Sequence, residues 1–240
     1  MRERFWELDA ARGLAVVLMI VFHFVWDLNR LGFVGGDVYA GFWGLWQKAT
    51  ATLFLLVVGV TLVAARPEKP VEVVPKMLGR AARVFAAGLL VSLVSWIFFP
   101  DFFIYFGVLH LIGIAVVLSI PLLDFKKANL ALAAILLGLW ASIGFWRVNV
   151  PALGVLGLGS VPPTLDFFPL IPWLAPVWAG IALGNYWLRS QKRVVRLAPF
   201  KNRFSNLFQW LGQNALAIYF IHQVILLGLF WGWTGRSIAL

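Results

Sequence analysis

Along the first apolar stretch of the chain, Asp9, Arg12, His23, Asp27 and Arg30 interrupt residues that are otherwise mostly aliphatic or aromatic. In an α-helix at about 100° per residue, the 11 steps from Arg12 to His23 return to nearly the same face. They climb about 16 Å in doing so. Asp27 lies one turn beyond His23, and Arg30 continues the stripe. One helix face therefore carries a guanidinium, then an imidazole three turns on, then a carboxylate within reach of that imidazole. A neutral imidazole, with an ordinary pKa of about 6.5, can take the proton from an attacking hydroxyl or amine. Asp27 at i+4 is expected to hold the other ring nitrogen and stabilise the imidazolium, as the carboxylate of a catalytic triad does. Arg12 suits a phosphate. The competing reading of the same residues is a buried ion network that ties this helix to its neighbours.

The remaining histidines sit in comparable settings. His110 lies in Gly107-Val-Leu-His110-Leu-Ile-Gly113, and His222 in Tyr219-Phe-Ile-His222-Gln223. His222 joins His23 and Asp27 as a catalytic candidate, with helix bridging as the alternative. The glycines three positions either side of His110 would let a substrate or a second backbone approach closely. His110, Asp166, Trp173 and Gln223 are the candidate substrate contacts, Trp173 by stacking on a sugar. Gln209, Gln213 and Asn214 read as helix–helix hydrogen-bonders. Arg80-Ala-Ala-Arg83, with Arg12, would make a basic mouth for a phosphate-rich ligand. Three histidines and an aspartate also raise a zinc site, but His-x-x-x-His is missing, and no metal is expected. There is no Gly-rich phosphate loop and no Gly-x-Ser-x-Gly, so nucleotide hydrolysis and serine-hydrolase chemistry have no support.

These residues need membrane helices to position them. The 240 residues are 62% hydrophobic and 12% charged, with a mean hydropathy of +0.89. Soluble domains carry roughly 25% charged residues. A spanning helix takes roughly 20 apolar residues. The sequence predicts an all-α polytopic membrane bundle of about seven transmembrane helices, forming one domain over 1–240. The helices are placed at 10–28, 44–65, 81–99, 105–123, 128–146, 169–188 and 207–231. The initial apolar stretch is read as a retained helix, because it contains charges and lacks a small-residue cleavage site. There is no cysteine, which excludes disulfides and thiolate catalysis.

The net charge of +10 does not point to nucleic acid, because of where it lies. The N-terminus, 66–83, 124–127 and 189–203 hold 2, 5, 2 and 6 Lys or Arg, or 15 together. The opposite connections hold Arg30, Lys48, Arg147 and Arg236. The positive-inside bias puts the first group, and so the N-terminus, in the cytoplasm, with the C-terminus outside. Segment 67–79, with Pro67, Pro70 and Pro75, is expected to lie along the inner membrane surface. The prolines of Asp166-Phe-Phe-Pro169-Leu-Ile-Pro172-Trp173 and Pro176 cannot all sit in one regular helix, and suggest a cavity opening outward. Trp26, Trp43, Trp46, Trp96, Trp146, Trp173, Trp231 and Trp233 fall where an outer aromatic belt belongs.

Several segments carry a family likeness. Leu8-Asp9-Ala-Ala-Arg12-Gly13-Leu-Ala followed by Met19-Ile-Val-Phe-His23-Phe resembles the first helix of the heparan-α-glucosaminide N-acetyltransferase catalytic-domain family, especially its small prokaryotic members. Phe106-Gly107-Val-Leu-His110-Leu-Ile-Gly113, Asp166 through Trp173, and Leu211-Gly212-Gln-Asn214 through His222-Gln223 extend the likeness over nearly the whole chain. Arg12 with His23, and Arg80-x-x-Arg83, are also similar to motifs of the wider transmembrane acyltransferase superfamily. The resemblance implies transfer of an acyl group, acetyl in the first instance, from acetyl-CoA to an amine or hydroxyl of a glycan or glycolipid acceptor outside. Coenzyme A would enter from the cytoplasm near Arg12, Arg80 and Arg83, its pantetheine arm running toward His23. Lysosomal members use a histidine in the first luminal loop, and none occurs here between His23 and His110. Direct transfer with His23 as base is therefore favoured over an acyl-histidine route. The expected setting is a multi-pass protein of the cell membrane, with lipid, acyl-CoA and acceptor as partners, no nucleic acid, and homo-oligomer formation left open. The alternatives are a transporter or flippase for an anionic or sugar-lipid substrate, and a seven-helix zinc-dependent hydrolase.

Overall fold

The computed structural model describes residues 5–142, 150–159, 161–189 and 202–235, and every regular element among them is helical. The α-helices are α1 (Trp6–Arg30), α2 (Gly41–Ala64), α3 (Val73–Phe98), α4 (Val108–Ser119), α5 (Lys126–Ser142), α6 (Leu170–Arg189), α7 (Arg203–Gln213) and α8 (Ala215–Thr234). Trp6–Arg30, Gly41–Ala64, Pro70–Phe98 and Ala215–Thr234 are each long and apolar enough to cross a bilayer. On α3 Leu89, Leu93, Trp96, Ile97 and Phe98 are all at least half exposed, an apolar surface that suits hydrocarbon and not water. The protein is an all-α membrane protein.

The chain divides into two compact units, Met1–Val57 with Val195–Leu240, and Val58–Val194. In the first, α1 carries Glu7 and Asp9 in its first turn and Arg30 in its last, complementing the helix dipole at both ends. The helix ends where Leu31 N–H reaches the Asp27 carbonyl (3.0 Å) and Gly32 turns at φ 81°. The Trp46 indole donates to the Leu18 carbonyl (3.0 Å), joining the first half of α2 to α1. α8 runs parallel to α1: Ala215 and Ile218 pack with Val16, and Phe230 and Trp233 meet Phe24 and Phe33.

In the second unit, the end of α2 packs on α6 through Gly59, where a Cβ would overlap the Val177 carbonyl, and through Val63 against Gly184. Leu62, Leu111, Leu123 and Ile181 are fully buried there. Phe106 pairs with Phe167 as a short parallel bridge, and Leu165 N–H and Phe168 N–H donate to the carbonyls of Phe102 and Phe106.

Two expectations about elements change. α3 begins at Val73, so most of 67–79 is a 3-10 turn (Pro70–Glu72) and the opening of that helix, with Pro75 inside its unbonded first turn. Arg80 and Arg83 accordingly lie two turns into α3 rather than at its start. The helix expected at 207–231 is two helices divided at Asn214, whose backbone (φ −104°, ψ 16°) leaves the helical region. The Asp166–Trp173 stretch does break the helix, with Ile171 extended (φ −99°, ψ 121°). Within it Phe168 N–H donates to the Phe106 carbonyl, and both Phe106 and Phe168 are buried.

Candidate active site

His23 and His222 meet edge to face in the first unit, ring centroids 4.8 Å apart at 79°. His23 Nδ1 lies 2.9 Å from the Met19 carbonyl oxygen, and His222 Nδ1 lies 2.8 Å from Tyr219 O and 3.1 Å from Ile218 O. A carbonyl can only accept, so in each neutral ring Nδ1 carries the hydrogen and Nε2 keeps the lone pair. The two imidazoles are thus the same tautomer, each with its base-competent nitrogen turned away from its own helix backbone.

Asp27 is completely buried, and its Oδ1 accepts from Gln223 Nε2 at 2.8 Å. The group that fixes His23 Nδ1 is the Met19 carbonyl and not the Asp27 carboxylate expected from the i+4 spacing. Helical side chains tilt toward the N-terminus, so the His23 ring falls back over Met19 while Asp27 is left to meet α8. Asp27 Oδ2, Gln223 Oε1 and His222 Nε2 are buried without a hydrogen-bond partner among the described residues. All three atoms are acceptors.

Lower on α1, Arg12 pairs with Asp9 (3.0 Å) and donates to the Gly212 carbonyl (3.2 Å), while Gln213 Nε2 reaches Asp9 Oδ2 (3.3 Å). The helix backbones touch here. A Cβ on Gly13 would overlap the Phe208 carbonyl, and one on Gly212 would overlap that of Asp9. The sequence reading missed this crossing. The ten-residue spacing from each glycine to its histidine was the available signal.

The other candidates belong to the second unit. Gly107 N–H donates to His110 Nδ1 (3.2 Å), which leaves Nε2–H facing Ser92 Oγ at 3.5 Å; Ser92 in turn donates to the Ile104 carbonyl. Phe85 and Phe106 pack on the ring, and Gly88 gives it room. Asp166 Oδ2 accepts from Val108 N–H at 2.9 Å. His110 and Asp166 therefore hold the first turn of α4, a capping task. Trp173 stacks edge-on against Phe168 at 4.8 Å. Arg80 is half-buried; Arg83 is exposed and donates from Nε to the Gly79 carbonyl (3.1 Å). Trp26, expected in an interfacial belt, is buried beside Arg30 (5.2 Å), whereas Trp96, Trp231 and Trp233 are well exposed. Trp146 lies outside the described residues.

The model of the heparan-alpha-glucosaminide N-acetyltransferase catalytic family matches residues 4–224. The chain belongs to that family. The match takes in the whole imidazole pair, the Asp27–Gln223 bond and the glycine crossing, so the geometry above is that of a heparan-alpha-glucosaminide N-acetyltransferase-like domain. No curated protein and no solved structure matches the chain.

Proposed function

We propose that the protein is an acyl-CoA-dependent acetyltransferase, multi-pass in the cell membrane, acting on an amine or hydroxyl of a glycan-type acceptor outside. In this reading the chain crosses the bilayer about seven times, with its N-terminus in the cytoplasm. The observation that carries it is the His23–His222 pair set beside orphaned acceptors inside an acetyltransferase family domain. A site whose bare polar atoms are all acceptors calls for a ligand rich in donors, as an amine or a hydroxyl is.

His23 Nε2 takes the proton of the acceptor as its oxygen or nitrogen attacks the thioester carbonyl. The carbon–sulfur bond then breaks, the thiolate of coenzyme A leaves, and the imidazolium returns the proton. The Met19 carbonyl holds the reactive tautomer throughout, and Asp27 with Gln223 holds α1 and α8 at this level. His222 is the second base-competent ring, 4.8 Å away. Arg83, with an exposed guanidinium, and Arg80 one turn away are the phosphate contacts of the second unit, and Arg12 that of the first. Trp173 is retained as an acceptor-stacking residue.

The test is label transfer from radiolabelled acetyl-CoA to a panel of amino sugars and polysaccharides by the purified protein. His23→Ala lowers transfer by about 10²–10⁴-fold, the usual contribution of a general base. His222→Ala lowers it less. Transfer unchanged in His23→Ala removes the base assignment.

A further inference from the structure

Asp27 and Gln223 join α1 to α8 by one hydrogen bond, although each side chain ends in a fork that can make two. The carboxyl offers two oxygens, and the amide one nitrogen and one oxygen. Gln223 Nε2 donates to Asp27 Oδ1 at 2.8 Å. The second prong of each fork, Asp27 Oδ2 and Gln223 Oε1, is buried and has no partner among the described residues. Turning the amide over gains nothing, because its oxygen would then face Oδ1, another acceptor. With an ionised Asp27 the contact holds one donor nitrogen against three acceptor oxygens.

The surroundings of Asp27 do not favour an anion. The residue is completely buried in a helix long and apolar enough to cross a bilayer. No ion pair among the described residues involves it. Arg30, three positions on, lies over the Trp26 ring, 5.2 Å from its centroid. His23, one turn before, gives Nδ1–H to the Met19 carbonyl. His222, beside Gln223, gives its own Nδ1–H to the carbonyls of Ile218 and Tyr219. One neutral amide is then the side-chain donor that the described residues bring to the carboxyl. A carboxylate stripped of water needs a cation or several donors, and otherwise takes up a proton.

A single hydrogen on Oδ2 answers both problems. It removes the charge, and it turns one surplus acceptor into a donor for the other. We infer that Asp27 is held as a neutral carboxylic acid in a cyclic pair with Gln223, a proton-binding site shared by α1 and α8. In the pair Nε2–H donates to Oδ1 and Oδ2–H donates to Oε1. Glutamine suits the partner position because its one fork carries both a donor and an acceptor. Of the three bare acceptors at the site, His222 Nε2 is left for the donor of a bound ligand. Asp27 is thus a positioning residue that lends the two imidazoles no negative charge. The inference rests on the membrane reading of α1 and not on the transfer chemistry.

Infrared absorption separates the two forms, since a protonated carboxyl absorbs above the backbone amide carbonyl band and a carboxylate below it. The full-length protein is measured at neutral pH in a detergent free of ester and acid groups, without acetyl-CoA or acceptor. The native sequence shows an acid band, and aspartate labelled with carbon-13 in its side-chain carboxyl moves that band down. Asp27→Asn removes it, an amide taking the place of the acid in the ring. Gln223→Leu moves it up, because the acid loses both of its partners. A native protein with carboxylate absorption alone overturns the inference, whether Asp27 is ionised outright or its proton sits on His222. A band that persists in Asp27→Asn belongs to another acid and overturns it as well. Should Asp27→Asn fail to fold, the labelled native protein and Gln223→Leu decide, and a band unmoved in Gln223→Leu overturns the pairing. None of these spectra involves acetyl transfer, so the enzymatic reading and this one can fail separately.

Discussion

At the scale of single residues, a buried carboxylate decides the most. Asp27 is shielded from water, and its described protein partner is the Gln223 amide. Removing that donor leaves an acceptor stripped of water and partner, at a cost of about 1–3 kcal/mol. Gln223→Leu should therefore lower the thermal midpoint of the purified protein. Asp27→Asn, whose Oδ1 can still accept from Gln223, should lower it less. Equal melting of Gln223→Leu and the native chain would show that the bond does not hold α1 to α8. The sequence made His23 and Asp27 visible, because polar groups are costly in an apolar helix and their spacing puts them on one face. It could not show that Met19 supplies the partner of His23 Nδ1, since a backbone carbonyl has no residue signature. The capping contacts of His110 were hidden for a related reason. A histidine at the third position of a helix can cap as well as bind, and its contacts with Gly107 and Ser92 have no residue signature.

At the scale of elements, the α1–α7 crossing makes a sharp prediction. Gly13 and Gly212 have the opposing backbone where a methyl would go. Overpacking costs about 1–3 kcal/mol where side chains can shift, and backbone yields less readily. Gly13→Ala and Gly212→Ala should each lower the melting midpoint. Gly138→Ala, on α5 where nothing lies within 4 Å, should be neutral or stabilising by about 0.5–1 kcal/mol. A melting series in one detergent checks the contrast, and equal effects at the three sites would remove the crossing. The division at Asn214 was hidden from sequence because 207–231 is a nearly unbroken apolar window.

At the scale of the whole molecule, the proposed orientation rests on the charge distribution. The sequence read the lipid-facing class readily, since composition alone rules out a water-covered surface. It reads span count less well. Among the described residues four helices are long and apolar enough to cross, while α4 has 12 residues and α6 is interrupted at Ile171. The absence of cysteine makes the count measurable. Lys69→Cys and Lys127→Cys should react with a membrane-impermeant maleimide only after permeabilisation, and Asp37→Cys and Asp101→Cys in intact cells. Labelling of Lys69→Cys in intact cells would reverse the orientation. A protected Asp101→Cys would remove the outer end of α3.

The two glycines and the two histidines form a ruler. From Gly13 to His23 and from Gly212 to His222 the chain advances ten residues each time, and α1 and α8 run in the same direction. The equal count carries through the break at Asn214, since Gly212 belongs to α7 and His222 to α8. Inserting one residue in α8 before His222 would swing that ring by about 100° and shift it about 1.5 Å. The imidazoles would then lose their facing edges even though every side chain at the site remained.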